Sequence, residues 1–403
     1  MRAPGFRATI AALAAGQLVC WAALFYTFSS LVLPMQHALS WSRTELMGAF
    51  TVGLTLWGLS TYAVGAAIDR GHGRAVLTGG SALAGIGFLL WSQVHSLGWL
   101  YVAWCVMGVA MAMTLYEPAF NVLTKRFPLR FRQGIVALTL VGGFASTLAF
   151  PAVAWLIAWL NWRGALLAIG GVLVLLIAPL QAWALRGTPA TPTARPAAAA
   201  FEDATLREAM HQPAFWFLTL SFALHSFAVA ALFAHLMPAL AEKGLSEAEA
   251  LVVVVWFGPA QVLGRLLYAG AGGRSPPWFG LLVLAGMPVA IGIFALAHGL
   301  PGMIAFSVLF GLSNGLATIV RGGLVPDYFG SGNVGRISGA MSAVALLGRA
   351  AAPFAIAWLL VPLHAYRPVL LLLSAIGLVA LASYALAGKP RRLALGDVER
   401  IAT

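Results

Sequence analysis

The chain is 403 residues long, 61% apolar, 11% aromatic and only 9% charged, with a net charge of +12 and a mean hydropathy of +0.90. A water-soluble domain carries roughly 25% charged residues, so the composition excludes one and makes lipid the main solvent. The basic excess does not point to nucleic acid, because Lys and Arg stand singly or in small groups between long apolar runs and do not gather on one face or tail.

A membrane-spanning helix needs about 20 apolar residues. Apolar segments recur at 8–33, 45–68, 75–94, 98–123, 134–159, 164–185, 213–240, 248–269, 278–297, 301–323, 337–360 and 367–387, which predicts twelve spans. The first follows Arg2 and Arg7 and is too long for the apolar core of a signal peptide, so it reads as an uncleaved span. Cys20 and Cys105 both fall inside apolar runs, which predicts packed thiols and neither a disulfide nor a metal cluster.

Residues 186–212 form the middle connection: an Ala/Pro/Thr-rich stretch that reads as disordered, followed by a short amphipathic helix around 202–210. The predicted fold is therefore an all-α integral membrane protein with two pseudo-symmetric six-helix bundles, 1–185 and 213–388. A tail follows at 389–403. Eighteen of the 24 Lys and Arg residues fall in one alternate set of connections, and Arg43, Arg163, Lys243 and Arg367 make up the opposite set. By the positive-inside rule both termini and the linker face the cytoplasm.

The two halves also resemble each other. Pro34 and the stretch Ser42-Arg-Thr-Glu45 match Pro238 and Ser246-Glu-Ala-Glu249, and Phe127 to Pro151 matches Phe329 to Pro353, with offsets of 204 and 202 residues. A duplicated bundle is the expected origin. Each Ser-x-x-Glu is a capping box that starts a helix.

Between the second and third spans lies Gly65-Ala-Ala-Ile-Asp69-Arg70-Gly-His-Gly-Arg74. It resembles the signature loop of the major facilitator superfamily, G-x-x-x-D-R-x-G-x-R, with His72 where the second Gly is expected. The second-half copy keeps Gly264 and Arg274 but has no Asp. The resemblance implies a twelve-helix transporter in which Gly65, Asp69, Arg70 and Arg74 form a cytoplasmic gate. Asp69 would accept hydrogen bonds from a neighbouring helix N-terminus, and Arg70 and Arg74 would hold it by charge. A plain positive-inside role is the alternative for the two arginines.

An ionisable group at the middle of a span costs about 2.5–3.5 kcal/mol on insertion scales, so a chain this poor in charge singles out the few it keeps there. Glu117 lies in the fourth span, within Tyr116-Glu117-Pro118, Arg265 in the eighth and Arg349 in the eleventh. A guanidinium grips a carboxylate through two parallel hydrogen bonds, so the two arginines predict an anion site. For Arg349 an ion pair with Glu117 is the other reading, and for Arg265 a side chain reaching along lipid to the headgroups.

The run Gly258-Pro-Ala-Gln261-Val-Leu-Gly264-Arg265 resembles the eighth helix of monocarboxylate transporters, whose Asp-x-x-x-Arg pair implies carboxylate binding with coupling. Here Gln261 stands in the Asp place, which keeps anion binding and removes the proton carrier. Related oxalate/formate antiporters are similar in having basic residues in the eighth and eleventh helices, and Arg265 and Arg349 match them, as does Trp41-Ser42-Arg43 before the second helix. The coupling proton then falls to Glu117, with His225 in the seventh span second because its ordinary pKa is near 6.5. His235 is a weaker candidate, nearer the far end of that span.

Tyr26, Tyr116, Gln17, Asn121, Thr139 and Asn314 are candidates to line a cavity, with Tyr26 and Tyr116 taken as substrate contacts. Met107, Met111 and Met113 could be soft copper ligands, but in so apolar a chain packing is the better reading. Paired glycines, with Gly108 and Gly311 in the fourth and tenth spans, predict close helix contacts. No nucleotide loop, nucleophile arrangement or metal cluster is present in the sequence, so it predicts no enzyme and no cofactor. The expected function is secondary transport of a small mono- or dicarboxylate by alternating access, coupled to protons or a counter-anion. The protein would act as a monomer in a bacterial inner membrane. A drug or metabolite exporter and a copper importer are the alternatives.

Overall fold

A computed structural model describes residues 4–187, 203–272, 276 and 278–388. The disordered stretch expected before Glu202, the tail 389–403 and Arg274 lie outside the described residues. The helices are α1 (Phe6–Leu39), α2 (Arg43–Ala67), α3 (Gly73–Ser92), α4 (Leu97–Arg126), α5 (Phe131–Gly142), α6 (Ala145–Val172) and α7 (Ala178–Ala184). After the linker come α8 (Leu206–His211), α9 (Pro213–Glu242), α10 (Glu247–Val255), α11 (Phe257–Gly270), α12 (Phe279–Leu296), α13 (Gly299–Phe329), α14 (Val334–Leu363) and α15 (Tyr366–Leu386).

Ten helical runs among the described residues are long and apolar enough to cross a membrane, and two are double: Glu45–Ser92, with 48 residues, and Thr147–Ala184, with 38. The first turns at Gly71, whose φ of 90° suits a residue without Cβ. The second turns at Asn161, with φ 55°, where the side-chain oxygen accepts from the N–H groups of Arg163 at 3.0 Å and Gly164 at 3.1 Å. Twelve spans result. Large apolar side chains such as Leu175, Phe354 and Trp159 are 74–79% exposed, which suits helices whose outer faces meet lipid.

Three helix starts carry capping boxes: the two predicted Ser-x-x-Glu pairs and a third, Thr205 with Glu208, that the sequence reading did not single out. Ser42 and Glu45 reciprocally cap α2, Ser246 and Glu249 cap α10, and Thr205 and Glu208 cap α8. Pro34 and Pro238, and likewise Pro151 and Pro353, sit inside helices in both halves.

The described residues form two compact units. Unit 1 comprises residues up to Asp203 together with Ser331–Ala343, the start of α14; unit 2 comprises Ala204–Gly330 and the residues from Val344. The core of unit 1 gathers Leu13, Leu77, Leu123, Leu138 and Leu185, all fully buried. In unit 2 the core centres on Phe294, Phe306 and Phe310, with Phe294 stacked on Phe306 at 4.5 Å. Close helix contact occurs at the predicted glycines: a Cβ on Gly108 would strike the backbone of Gly53, and one on Gly311 would lie 2.7 Å from the Ala260 Cβ.

Candidate functional site

The signature loop is built within unit 1. Gly65 near the end of α2 lies so close to Gly335 that a Cβ on either would collide with the other's carbonyl. That approach sets Asp69 against the first turn of α14, where the helix leaves its N–H groups unpaired. Asp69 Oδ1 accepts from the Gly335 N–H at 3.0 Å and Oδ2 from the Arg336 N–H at 2.7 Å. The seam continues along α2, where the Thr61 hydroxyl donates to the Gly339 carbonyl at 2.9 Å. The Ser338 hydroxyl donates to Asn121 Oδ1 at 3.0 Å.

The cation on Asp69 is Lys125, at the end of α4. Its Nζ lies 3.1 Å from Asp69 Oδ1 and donates to the Gly332 carbonyl at 2.8 Å. Arg70 and Arg74, the expected cations, are exposed. The helix phase explains the difference: Gly71 turns the chain just after Asp69, so Arg70 and Arg74 fall on outer faces while Lys125 approaches from the packed side. Sequence reasoning counted Lys125 only for topology, and its distance of 56 positions from Asp69 gives no local signal.

Glu117 follows a break in α4. Leu115 leaves the helical region at φ −75°, ψ −160°, because Pro118 has no N–H to offer the Thr114 carbonyl four residues back. Gln17 of α1 supplies what is missing: its fully buried amide donates to the Thr114 carbonyl at 2.7 Å and more weakly to that of Leu115 at 3.4 Å. Tyr116 and Glu117, both half-buried, open the resumed helix. The break therefore places Glu117 in the first turn of the resumed helix. Tyr116 stacks on Phe120 at 5.3 Å and meets the Trp21 ring at 4.9 Å. Tyr26 is half-buried and packs edge-on to Phe25 and Phe150.

Unit 2 holds the two membrane arginines. Arg265 of α11 is 3% exposed, so its guanidinium is drawn into the bundle and does not run along lipid to the headgroups. Its Nε points to the Gly315 carbonyl at 3.4 Å and Nη2 to Gln261 Oε1 at 3.5 Å, both long. Gly315 permits this, since a Cβ there would lie 2.7 Å from the Gln261 carbonyl oxygen. Gln261, one turn before Arg265, thus orients the cation without neutralising it. Arg349 is half-buried on α14.

His225 of α9 is 6% exposed and hydrogen-bonds to the Asn314 side chain, with the charge of Arg321 near. His235 is structural: its ring nitrogens meet the Tyr366 hydroxyl at 3.3 Å and the Pro353 carbonyl oxygen at 3.1 Å. Of the other polar candidates, Gln17 and Asn121 serve helix contacts as described, and the Thr139 hydroxyl donates to the Val136 carbonyl at 3.1 Å. Met107 and Met111 are fully buried in the core. Cys20 is a buried free thiol and Cys105 a half-buried one.

The chain's relatives bear on this arrangement. A family model described as Major Facilitator Superfamily matches residues 13–287. The chain belongs to the major facilitator superfamily. Among curated relatives of this major facilitator are Monocarboxylate transporter 11 of mouse, 28% identical over 301 residues, and Monocarboxylate transporter 13 of cattle, 26% identical over 281. The matches cover 71% and 67% of this chain but 66% and 63% of those proteins, just under two thirds of their length. Among solved structures, the human organic anion transporter MFSD10 (TETRAN) gives a TM-score of 0.73 at 16% identity, over 94% of this chain and 100% of that one. The E. coli fucose:proton symporter FucP gives 0.74 at 14%, over 94% and 98%. At such identities the likeness is one of fold. The protein is a multi-pass integral membrane protein of this superfamily.

Proposed function

We propose that this major facilitator carries a small organic anion, a mono- or dicarboxylate, by alternating access, with Arg265 and Arg349 as the groups that grip the carboxylate. The observation that carries the reading is the burial of Arg265 inside an apolar helix, 3% exposed and turned onto neutral oxygens of Gly315 and Gln261. Such a charge is costly to insert, and a guanidinium is able to hold a carboxylate through two parallel hydrogen bonds. The curated relatives named as monocarboxylate transporters support the same substrate class. Glu117, in the first turn after the α4 break, carries the coupling proton, with His225 second. Gln261, Tyr116 and Tyr26 shape the site. Asp69, with Gly65, Lys125 and the start of α14, is the cytoplasmic gate. The termini lie in the cytoplasm of a bacterial inner membrane, on the Lys/Arg count.

The test is uptake of labelled mono- and dicarboxylates into proteoliposomes, after a thermal-shift screen of those acids, cationic drugs and copper has chosen the substrate. Arg265→Ala and Arg349→Ala should each abolish uptake in protein that still inserts and melts cooperatively. Glu117→Gln should keep counterflow but lose the response to a pH gradient. Unchanged uptake in both arginine variants, or stabilisation by cationic drugs or copper alone, overturns the anion reading.

A further inference from the structure

The start of α14 is held by a second carboxylate that comes from the linker. Asp203 Oδ1 accepts from the Ser331 N–H at 2.9 Å. The contact is tight: a Cβ on Gly332 would lie 2.5 Å from Asp203 Oδ2, so only glycine leaves room for the carboxylate there. On its other side Gly332 presents its carbonyl to Lys125 at 2.8 Å. Three and four residues further on, Asp69 takes the N–H groups of Gly335 and Arg336. Asp203, Lys125 and Asp69 therefore grip consecutive points of one six-residue stretch, 331–336, at the positive end of a 30-residue helix.

Asp203 is itself firmly placed. The next residue, Ala204, donates its N–H to the Phe329 carbonyl at 3.0 Å, and Gly330 between the two anchor points has a φ of 83°, a turn that glycine makes without strain. The residue after that, Thr205, opens the capping box of α8. The linker thus ends in a short clip on the turn that precedes α14.

We propose that Asp203 is a second gate carboxylate, a positioning residue that acts with Asp69 through the shared start of α14. The idea rests on the gate reading of Asp69 given above. Its physical basis is that both carboxylates bind N–H groups of one stiff segment: loss of either frees the segment, and the other then holds a mobile partner. Release of α14 requires both contacts to break.

The experiment is amide hydrogen exchange on the full-length protein in lipid nanodiscs, which needs no substrate. Its outcome is therefore separate from whether an anion is carried. In Asp203→Ala the Ser331 amide should exchange about tenfold faster, the scale of losing one hydrogen bond to a charged group. The deciding observation is at Gly335 and Arg336, which Asp203 does not touch; their amides should also accelerate, and Asp69→Asn should in turn speed exchange at Ser331. Asp203→Asn keeps an acceptor for Ser331 and should restore most of the protection. If Asp203→Ala speeds exchange at Ser331 alone, or nowhere, the proposal is overturned. Should exchange spread as expected while Arg265→Ala and Arg349→Ala leave transport intact, the clip stands and the anion reading falls.

Discussion

The two units share repeated sequence stretches, yet they break their helices in different places. In unit 1 the break is in α4 at Leu115, with Pro118 three residues later; the second-half counterpart, α13, runs unbroken for 31 residues. In unit 2 the interruption falls between α10 and α11 at Trp256, with Pro259 three residues later; the first-half counterpart, α2, runs unbroken for 25. In both cases the proline sits in the first turn of the resumed helix, where its missing N–H costs least, and it strips the carbonyl four residues back of its partner. Each break precedes a candidate charge: Glu117 by two positions, Arg265 by nine. The comparison teaches that each unit carries its own break: Pro118 and Pro259 have no proline at the repeat-related place in the other half, whereas the shared prolines at 34, 151, 238 and 353 sit inside helices that continue past them.

The strongest way to break that comparison is to remove the prolines. Pro118→Ala restores a donor to the Thr114 carbonyl and recovers up to about 3 kcal/mol of helix preference, so α4 should straighten and displace Glu117. Uptake should fall at least about tenfold, the equivalent of roughly 1.4 kcal/mol, while the melting temperature holds or rises. Pro259→Ala should do the same to Arg265 through α11. Wild-type uptake with a straightened α4, read from faster or slower exchange around Leu115, would show that the break has no part in transport.

A smaller effect sharpens a second likeness between the units. Arg163 donates to the carbonyls of Ser92 and Val94, and Lys243 to those of Ala295 and Ala297 at 3.2 and 2.9 Å. Both cations thus cap the C-terminal end of the third span of their own half. They belong to the minor Lys/Arg set that topology alone assigned to the far side, and they have a packing role there. Arg163 also stacks over Trp162 at 4.2 Å, whereas burial, and then the like charge of Arg367, holds Lys243 below the ordinary lysine range against the pull of Glu242. Arg163→Met should therefore cost about 1 kcal/mol and Lys243→Met less, measured by thermal unfolding in one detergent. The reverse order would mean that the unit 2 cap is the stronger.

The smallest expected effect concerns the linker helix. Hydrogen bonds from the backbone and then the side chain of Thr205 hold the Glu208 carboxyl below its ordinary value of 4.5. A carboxyl whose folded pKa is lowered adds stability above its unfolded value and loses it as pH falls through the folded one. The Glu208 amide should therefore exchange faster relative to the α15 amides as pH drops below about 4.5, and Glu208→Gln should remove that dependence. A pH-independent ratio in the wild type would show that the box does not hold α8.

Much of this was legible in the chain. Long apolar runs, the Ser-x-x-Glu boxes, the duplicated prolines and the glycine-bracketed loop at Asp69 all announce themselves within a few residues, because helix length, capping and turn chemistry are local and lipid demands that each span satisfy its own backbone. The acid-then-proline pair at 117 and 118 was visible as a charge in a span but not as a helix break. Its partner Gln17 lies 97 positions from Thr114.

What only the tertiary structure decided are the long-range polar pairings. Lys125 and not Arg70 or Arg74 meets Asp69, Asn121 serves the α14 seam, Arg265 turns inward onto Gly315, and Asp203 shares the α14 start with Asp69. Each depends on which face a helix turns to its neighbour and how closely glycines let two backbones approach. That is set by packing among residues tens to hundreds of positions apart, a distance that no local stretch of sequence records.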